Sequence, residues 1–196
     1  MKKIIIFNFD GVIFPNPDSL HLHVLNSHKF SYAMKNYMKI EKKIPEHFYE
    51  KGNIEGRKYV DAFWSFYSSL RMTSFNQKRL KEAARRAILI VLSCNEEVVI
   101  RYMLKYSGID HLFEQIILVD KKPENKIAAF ELLAEHYSVS CEEFEFKTNT
   151  VSGIREAQKA GVTDIYGVVA DKNTKKELIE YVPEHKIIPA FYEQIN

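Results

Sequence analysis

Short apolar, β-branched runs recurring between stretches of helical periodicity constrain this chain most. Ala87–Leu92 reads AILIVL and Lys3–Phe9 reads KIIIFNF. Neither alternates apolar with polar residues over its length, so each suits a strand buried on both faces. Gln115–Val119 (QIILV) repeats the pattern, and Glu143–Lys147 and Ile165–Val169 are weaker versions of it. Lys186–Ile188, just before Pro189, suits a short edge strand. Between these runs the period becomes helical. Glu96–Tyr106 gathers Val98, Val99, Tyr102 and Met103 on one face and stops at Ser107-Gly108. Pro123 opens a helix whose apolar stripe is Ile127, Phe130, Leu133 and Ala134, and Ile154–Ala160 is a helix stopped by Gly161. Strands alternating with such helices predict a parallel sheet covered on both faces, an α/β architecture.

One stretch breaks the rhythm. Residues 17–86 show helical periodicity and no convincing strand, with Tyr59, Phe63, Phe66 and Leu70 at i, i+4, i+7 and i+11 and Trp64 and Tyr67 beside them. This stretch holds 11 of the 25 aromatic residues, enough for a helical subdomain with its own core. The expected division is therefore 1–16 with 87–196 as an α/β core, and 17–86 as an inserted helical cap. An aromatic stripe of this kind is core before it is a binding surface, although it also offers a face for a protein partner.

Composition narrows the function classes. Lys+Arg 28 against Asp+Glu 26 leaves a formal charge of +2, too balanced to advertise a nucleic-acid or anionic-membrane surface. No apolar run approaches the ~20 residues of a membrane helix. Lys2-Lys3 and Ile4–Phe7 begin like a secretion signal, but Asn8 and Asp10 end the apolar run far too early. A cytoplasmic setting with Cys94 and Cys141 as thiols is the expectation. His21, His23, His28 and His47 share the cap, but His23 does not lie on the face that His21 and His28 share, so the spacing does not make a metal site.

Ligands in open α/β sheets bind at the carboxyl ends of the strands. Here those ends carry Asn8 and Asp10, Ser93 and Asn95, Lys121, Lys122 and Lys126, and Asn149. With those residues in view, four segments in order resemble the haloacid dehalogenase (HAD) superfamily of phosphohydrolases. Ile4–Phe14 (IIIFNFDGVIF) is similar to its first motif and Val91–Phe113 to the second, with Ser93 in the Ser/Thr position. Asn125–Phe146 is similar to the third-motif lysine, its helix and the next strand. Thr148–Val162 is similar to the fourth motif, usually Gly-Asp-x-x-x-Asp. The resemblance implies a Rossmann-like, doubly wound sheet with an inserted helical cap. It also implies an aspartyl nucleophile, an Asp two residues on as acid/base, Ser/Thr and Lys on the phosphate, and carboxylates on Mg²⁺.

This chain departs from that pattern where the chemistry is done. The nucleophile position is Asn8, and the two fourth-motif acids are replaced by Asn149 and Gly153, so of four acidic positions only Asp10 remains. A carboxamide is a poor nucleophile, and Mg²⁺ gives up water reluctantly to neutral oxygens. The expectation is a hydrolase fold that has lost phosphatase activity, with Asn8, Asp10 and Asn149 as a degenerate metal site. No cofactor is expected, and Mg²⁺ only if activity persists. What remains is a site for a phosphorylated or other anionic ligand, drawing on Gly11, Ser93, Asn95, Lys122 and Lys126, with Lys126 preferred over Lys122 for the third-motif role. The competing expectation is a hydrolase with weak or altered Mg²⁺-dependent chemistry that still uses Asp10. Glu156 is expected exposed on its helix, and Glu145, alternating with Phe144 and Phe146, is expected to face outward.

Overall fold

A computed structural model describes residues 2–15, 24–35, 46–69, 72–95, 97–120 and 122–192. The expectations placed on His21, His23, Tyr37, Leu70, Glu96 and Lys121, and on the side chains of Tyr67 and Val98, lie outside the described residues. The strands are β1 (Lys3–Asn8), β2 (Ala87–Ser93), β3 (Gln115–Leu118), β4 (Phe144–Thr148), β5 (Asp164–Val169) and β6 (Ile187–Pro189). The helices are α1 (Ile54–Ser69), α2 (Ser74–Arg86), α3 (Glu97–Tyr106), α4 (Pro123–Tyr137), α5 (Val151–Lys159) and α6 (Lys172–Leu178). The chain forms two compact units, Met1–Phe14 with Met72–Asn196, and Pro15–Arg71. α2 was expected in the insertion but belongs to the first unit, because it runs without a loop from Arg86 into Ala87 and packs on β2.

All six strands of the first unit are parallel, in the order β3-β2-β1-β4-β5-β6. The pleat sends alternate residues to opposite faces. On one face Ile4, Ile6, Ile90, Leu92, Phe144, Phe146 and Ile165 meet Ala129, Phe130 and Leu133 of α4 and Ile154 and Ala157 of α5. Phe130 stands edge-on to Phe146 at 5.1 Å, which anchors α4 beneath β4. On the other face Phe7 meets Phe113 and Phe191 edge-on at 5.9 and 5.6 Å. The helix starts follow local chemistry. Thr73 and Thr150 accept from Asn76 N–H and Gly153 N–H, while Pro123 occupies the first turn of α4 where no N–H is needed. α6, which the apolar periodicity did not reveal, is announced by Asp171, whose carboxylate accepts from Asn173 and Thr174 N–H at 2.8 Å each.

In the second unit, helical residues 24–27 and 32–35 precede α1. The expected aromatic stripe points inward. Tyr59, Phe63 and Phe48 are buried, and the Tyr59 ring lies 5.4 Å from Phe30, 6.1 Å from Phe48 and 6.3 Å from Phe63. His28 and His47 are exposed and lie against Phe30 and Phe48. Among the described residues no group of three or more His, Cys, Asp or Glu is placed to hold a metal. Among them, too, no helix is long and apolar enough to cross a membrane.

Candidate functional site

The strand order reverses between β1 and β4, which leaves a crevice beyond their carboxyl ends. Asn8 is the last residue of β1 and Asn149 the first after β4. The Asn8 Nδ2 group donates to Asn149 Oδ1 at 3.1 Å and to the Asp10 carbonyl at 3.0 Å. A backbone carbonyl only accepts, so the Asp10 contact fixes the orientation of the Asn8 amide, with its N–H₂ toward Asn149 and the Asp10 carbonyl.

Asp10 lies across from β2. Its Oδ1 accepts from Asn95 Nδ2 at 3.1 Å, and the Asn95 N–H in turn donates to Ser93 Oγ at 3.0 Å. Ser93 is fully buried. Gly11 adopts φ +72°, and a Cβ built on it would overlap the Asn149 side chain, so the turn after β1 closes only because residue 11 lacks one. The Gly11 N–H, counted among the donors for a ligand, donates to the Phe14 carbonyl at 2.7 Å. Val12 and Ile13 N–H groups likewise donate to the Phe9 carbonyl.

The two candidate lysines have different fates. Lys126 is 8% exposed, and its Nζ lies 3.1 Å from Glu156 Oε2, an ionic contact rather than a well-angled hydrogen bond. Glu156 was expected to be exposed. Its side chain is instead 13% exposed, because α5 turns it toward α4 and the Lys126 charge calls for a partner in that setting. Lys122 is exposed at the N-terminus of α4, ahead of Pro123. Cys94 is exposed beside Ser93, with its Sγ 3.7 Å from the Asp120 carbonyl.

The end of β4 holds a coupled exchange that the motif comparison alone did not reveal. Where the resembled motif has Gly and Asp, this chain has Thr148 and Gly153. Thr148 is fully buried, and a Cβ built at Gly153 would overlap its hydroxyl and sit 2.9 Å from Thr150 Oγ1. The Thr148 side chain thus fills the space an acid at 153 would need. The signal was present in the sequence as two opposite departures five residues apart, one gaining a side chain and the other losing one.

Glu145 is the second correction. It is 8% exposed, not outward-facing, and forms ion pairs with Lys3 and Lys147 across the β1–β4 face. Burial pushes the Lys147 ammonium below its ordinary value, against the opposing pull of Glu145. This cluster sits on the sheet face carrying Phe7, away from the helices α4 and α5.

No protein-family model and no curated protein sequence matches the chain. Solved structures do. A protein from Thermotoga maritima assigned as a β-phosphoglucomutase superposes with a TM-score of 0.65 at 19% identity, covering 96% of this chain and 93% of that one. A HAD family enzyme from Bacteroides thetaiotaomicron, a variant complexed with magnesium and inorganic phosphate, gives 0.62 at 14% identity, covering 88% and 96%. L-2-haloacid dehalogenase from Xanthobacter autotrophicus, with chloropropionic acid covalently bound, gives 0.59 at 15% identity, covering 97% and 96%. The six-stranded parallel sheet, its strand order and these superpositions agree: the chain has the haloacid dehalogenase-like fold.

Proposed function

We propose that this protein is a hydrolytically silent member of the HAD-like fold, which binds a phosphorylated or other anionic ligand at the strand-end crevice without cleaving it. The observation that carries this reading is the Asn8 amide, which turns its N–H₂ toward Asn149 and the Asp10 carbonyl. An attacking group at that position needs a lone pair on an anionic oxygen, and an amide donor offers neither.

The residues present do not fit Mg²⁺. Asn8 offers hydrogens where a cation needs oxygen, and the Asn149 oxygen is occupied by them. Asp10 supplies the crevice's single motif carboxylate and already accepts from Asn95. The position of the second acid is held by the Thr148 hydroxyl. One carboxylate among amides offsets little of the ion's dehydration cost.

Ligand recognition would then rest on neutral donors and, among the described residues, the exposed Lys122. Asn95 and Asn149 carry amides that could re-pair with a ligand, and Lys122 at the start of α4 would supply the positive charge. Lys126 is committed to Glu156, which supports Lys122 rather than Lys126 as the ligand's counter-charge. Loss of three carboxylates, at positions 8, 149 and 153, also removes repulsion that a bound phosphate would otherwise meet. A small site and a cytoplasmic setting suit this reading, with the aromatic second unit as a further surface for a protein partner.

Calorimetry tests it. Inorganic phosphate should bind without Mg²⁺, Lys122→Ala should weaken that binding, and Mg²⁺ alone should give no heat at millimolar concentration. Sub-millimolar Mg²⁺ binding that disappears in Asp10→Asn would overturn it.

A further inference from the structure

β4 is an interior strand, and in a parallel sheet such a strand carries apolar residues on both faces. Here the face opposite Phe144 and Phe146 carries Glu145 and Lys147, 8% and 9% exposed. α2 turns Arg79, Glu82, Ala83 and Arg86, spaced i, i+3, i+4 and i+7, toward the same place. Between them lies a cavity of about 430 Å³ whose remaining walls include Phe7 and Phe191. That volume is in the range of small-molecule sites. None of these residues belongs to the Asn8–Asn149 crevice, so the inference stands apart from the proposed function.

The charges in this cavity do not balance. Its lining holds four cations, Lys3, Arg79, Arg86 and Lys147, against two carboxylates, Glu82 and Glu145. Glu145 is divided between Lys147 and Lys3, the latter at 2.7 Å. Lys3 also pairs at 2.7 Å with Asp164, which Lys186 shares at 2.9 Å, so the excess positive charge lies with the two arginines and Lys147. The Arg79 guanidinium has a neutral acceptor, Asn76 Oδ1 at 3.0 Å, and lies 4.3 Å over the Phe191 ring. Lys147 is stacked 4.2 Å over Tyr166 and 5.8 Å from Phe7. Burial acts against its charge, and a second anion nearby would offset that cost. The guanidinium fork matches a planar carboxylate in two hydrogen bonds. Apolar walls beside it favour an organic anion over a bare inorganic one.

We propose that this cavity binds a small aromatic carboxylate, with the carboxylate held by Arg79 and Lys147 and the ring against Ile5, Ile188 and Phe191. The probe is 2-naphthoate, titrated calorimetrically into the full chain, with 2-naphthalenemethanol as its neutral counterpart and inorganic phosphate as its bare-ion counterpart. The acid should bind at least about tenfold tighter than either, since a hydrogen bond to a charged group is worth that much or more. Arg79→Gln should lose a similar factor. Ala83→Phe, which fills the cavity and leaves every charge in place, should abolish binding. Equal binding of acid and alcohol would overturn the proposal, as would phosphate binding as tightly as the acid. Unaltered affinity in the folded variants would do the same. Should Arg79→Gln fail to fold, Ala83→Phe decides alone. Absence of 2-naphthoate binding up to about 10 mM would also end it.

Discussion

The exchange at Thr148 and Gly153 makes a quantitative claim about stability. Gly153 lies in the first turn of α5, where alanine is ordinarily favoured over glycine by roughly 0.5–1 kcal/mol. In this chain the same change should destabilise. Its Cβ would overlap the Thr148 hydroxyl, which is fully buried and cannot swing into solvent, and would come within 2.9 Å of the hydroxyl that caps the helix. Forcing a methyl group into such a space costs about 1–3 kcal/mol, which exceeds the helical gain. Thr148→Ala removes the oxygen and leaves the Thr148 Cβ position 3.3 Å from the new methyl, tight but tolerable. The double variant should therefore be more stable than the two single changes sum to, by a coupling of about 1–2 kcal/mol. For a chain of this length that is a discrepancy in melting temperature of roughly 2–8 °C. Thermal denaturation of the four proteins measures it. Additive changes, or a Gly153→Ala protein more stable than its parent, would mean that Thr148 does not occupy the space beside residue 153.

Glu156→Gln strips the partner from a largely buried ammonium and should cost about 2 kcal/mol after allowance for residual solvent contact, read as a lowered denaturation midpoint; the loss should be absent when Lys126→Met is made as well. Gly11→Ala places a side chain at φ +72° and against Asn149, and should cost at least about 1 kcal/mol while displacing the Asn8–Asn149 bond, visible as shifted side-chain amide resonances. The Asp171 carboxyl is held below its usual value first by the Thr174 backbone N–H and then by its hydroxyl, so its contribution is full above the unfolded-state value near 3.9 and fades as pH falls through the lower folded value; Asp171→Asn, an equally good cap, should flatten the fall in stability below about pH 4 and change little at neutral pH. Restoring hydrolysis should need Asn8→Asp, Asn149→Asp and Gly153→Asp together with Thr148→Gly, and the set lacking Thr148→Gly should stay near background in a Mg²⁺-dependent phosphate release assay.

The sheet was legible because most of its strands are unbroken apolar runs, fully buried in the middle of the sheet and half-buried at its β3 edge. Ala87–Leu92 and Ile116–Val119 have no polar residue to mistake for a turn, and the observed strands differ from the expected ones by a residue or two at their ends. α6 was not visible because Lys172–Leu178 carries a single buried residue, Leu178, and so no apolar stripe. α2 was visible as a helix and misassigned as to unit, since nothing in its own residues says which layer it covers. At the crevice, spacing placed Asn8, Asp10, Asn95 and Asn149 at strand ends, and the hydrogen bonds connect them. Spacing gave no sign that the Gly11 N–H would turn back to Phe14 or that Lys126 would find Glu156, because both depend on contacts made across the fold. Glu145 was misread for a related reason: strict alternation in Phe144–Lys147 is the mark of a half-solvated strand, and here the polar face is enclosed instead.

Steady-state release of phosphate from p-nitrophenyl phosphate and a set of sugar phosphates, at saturating Mg²⁺, tests the loss of hydrolysis most directly when the parent protein is compared with Asp10→Asn. Both should stay at the rate of the enzyme-free blank and be indistinguishable from each other. Turnover by the parent that requires Mg²⁺ and disappears in Asp10→Asn would contradict it.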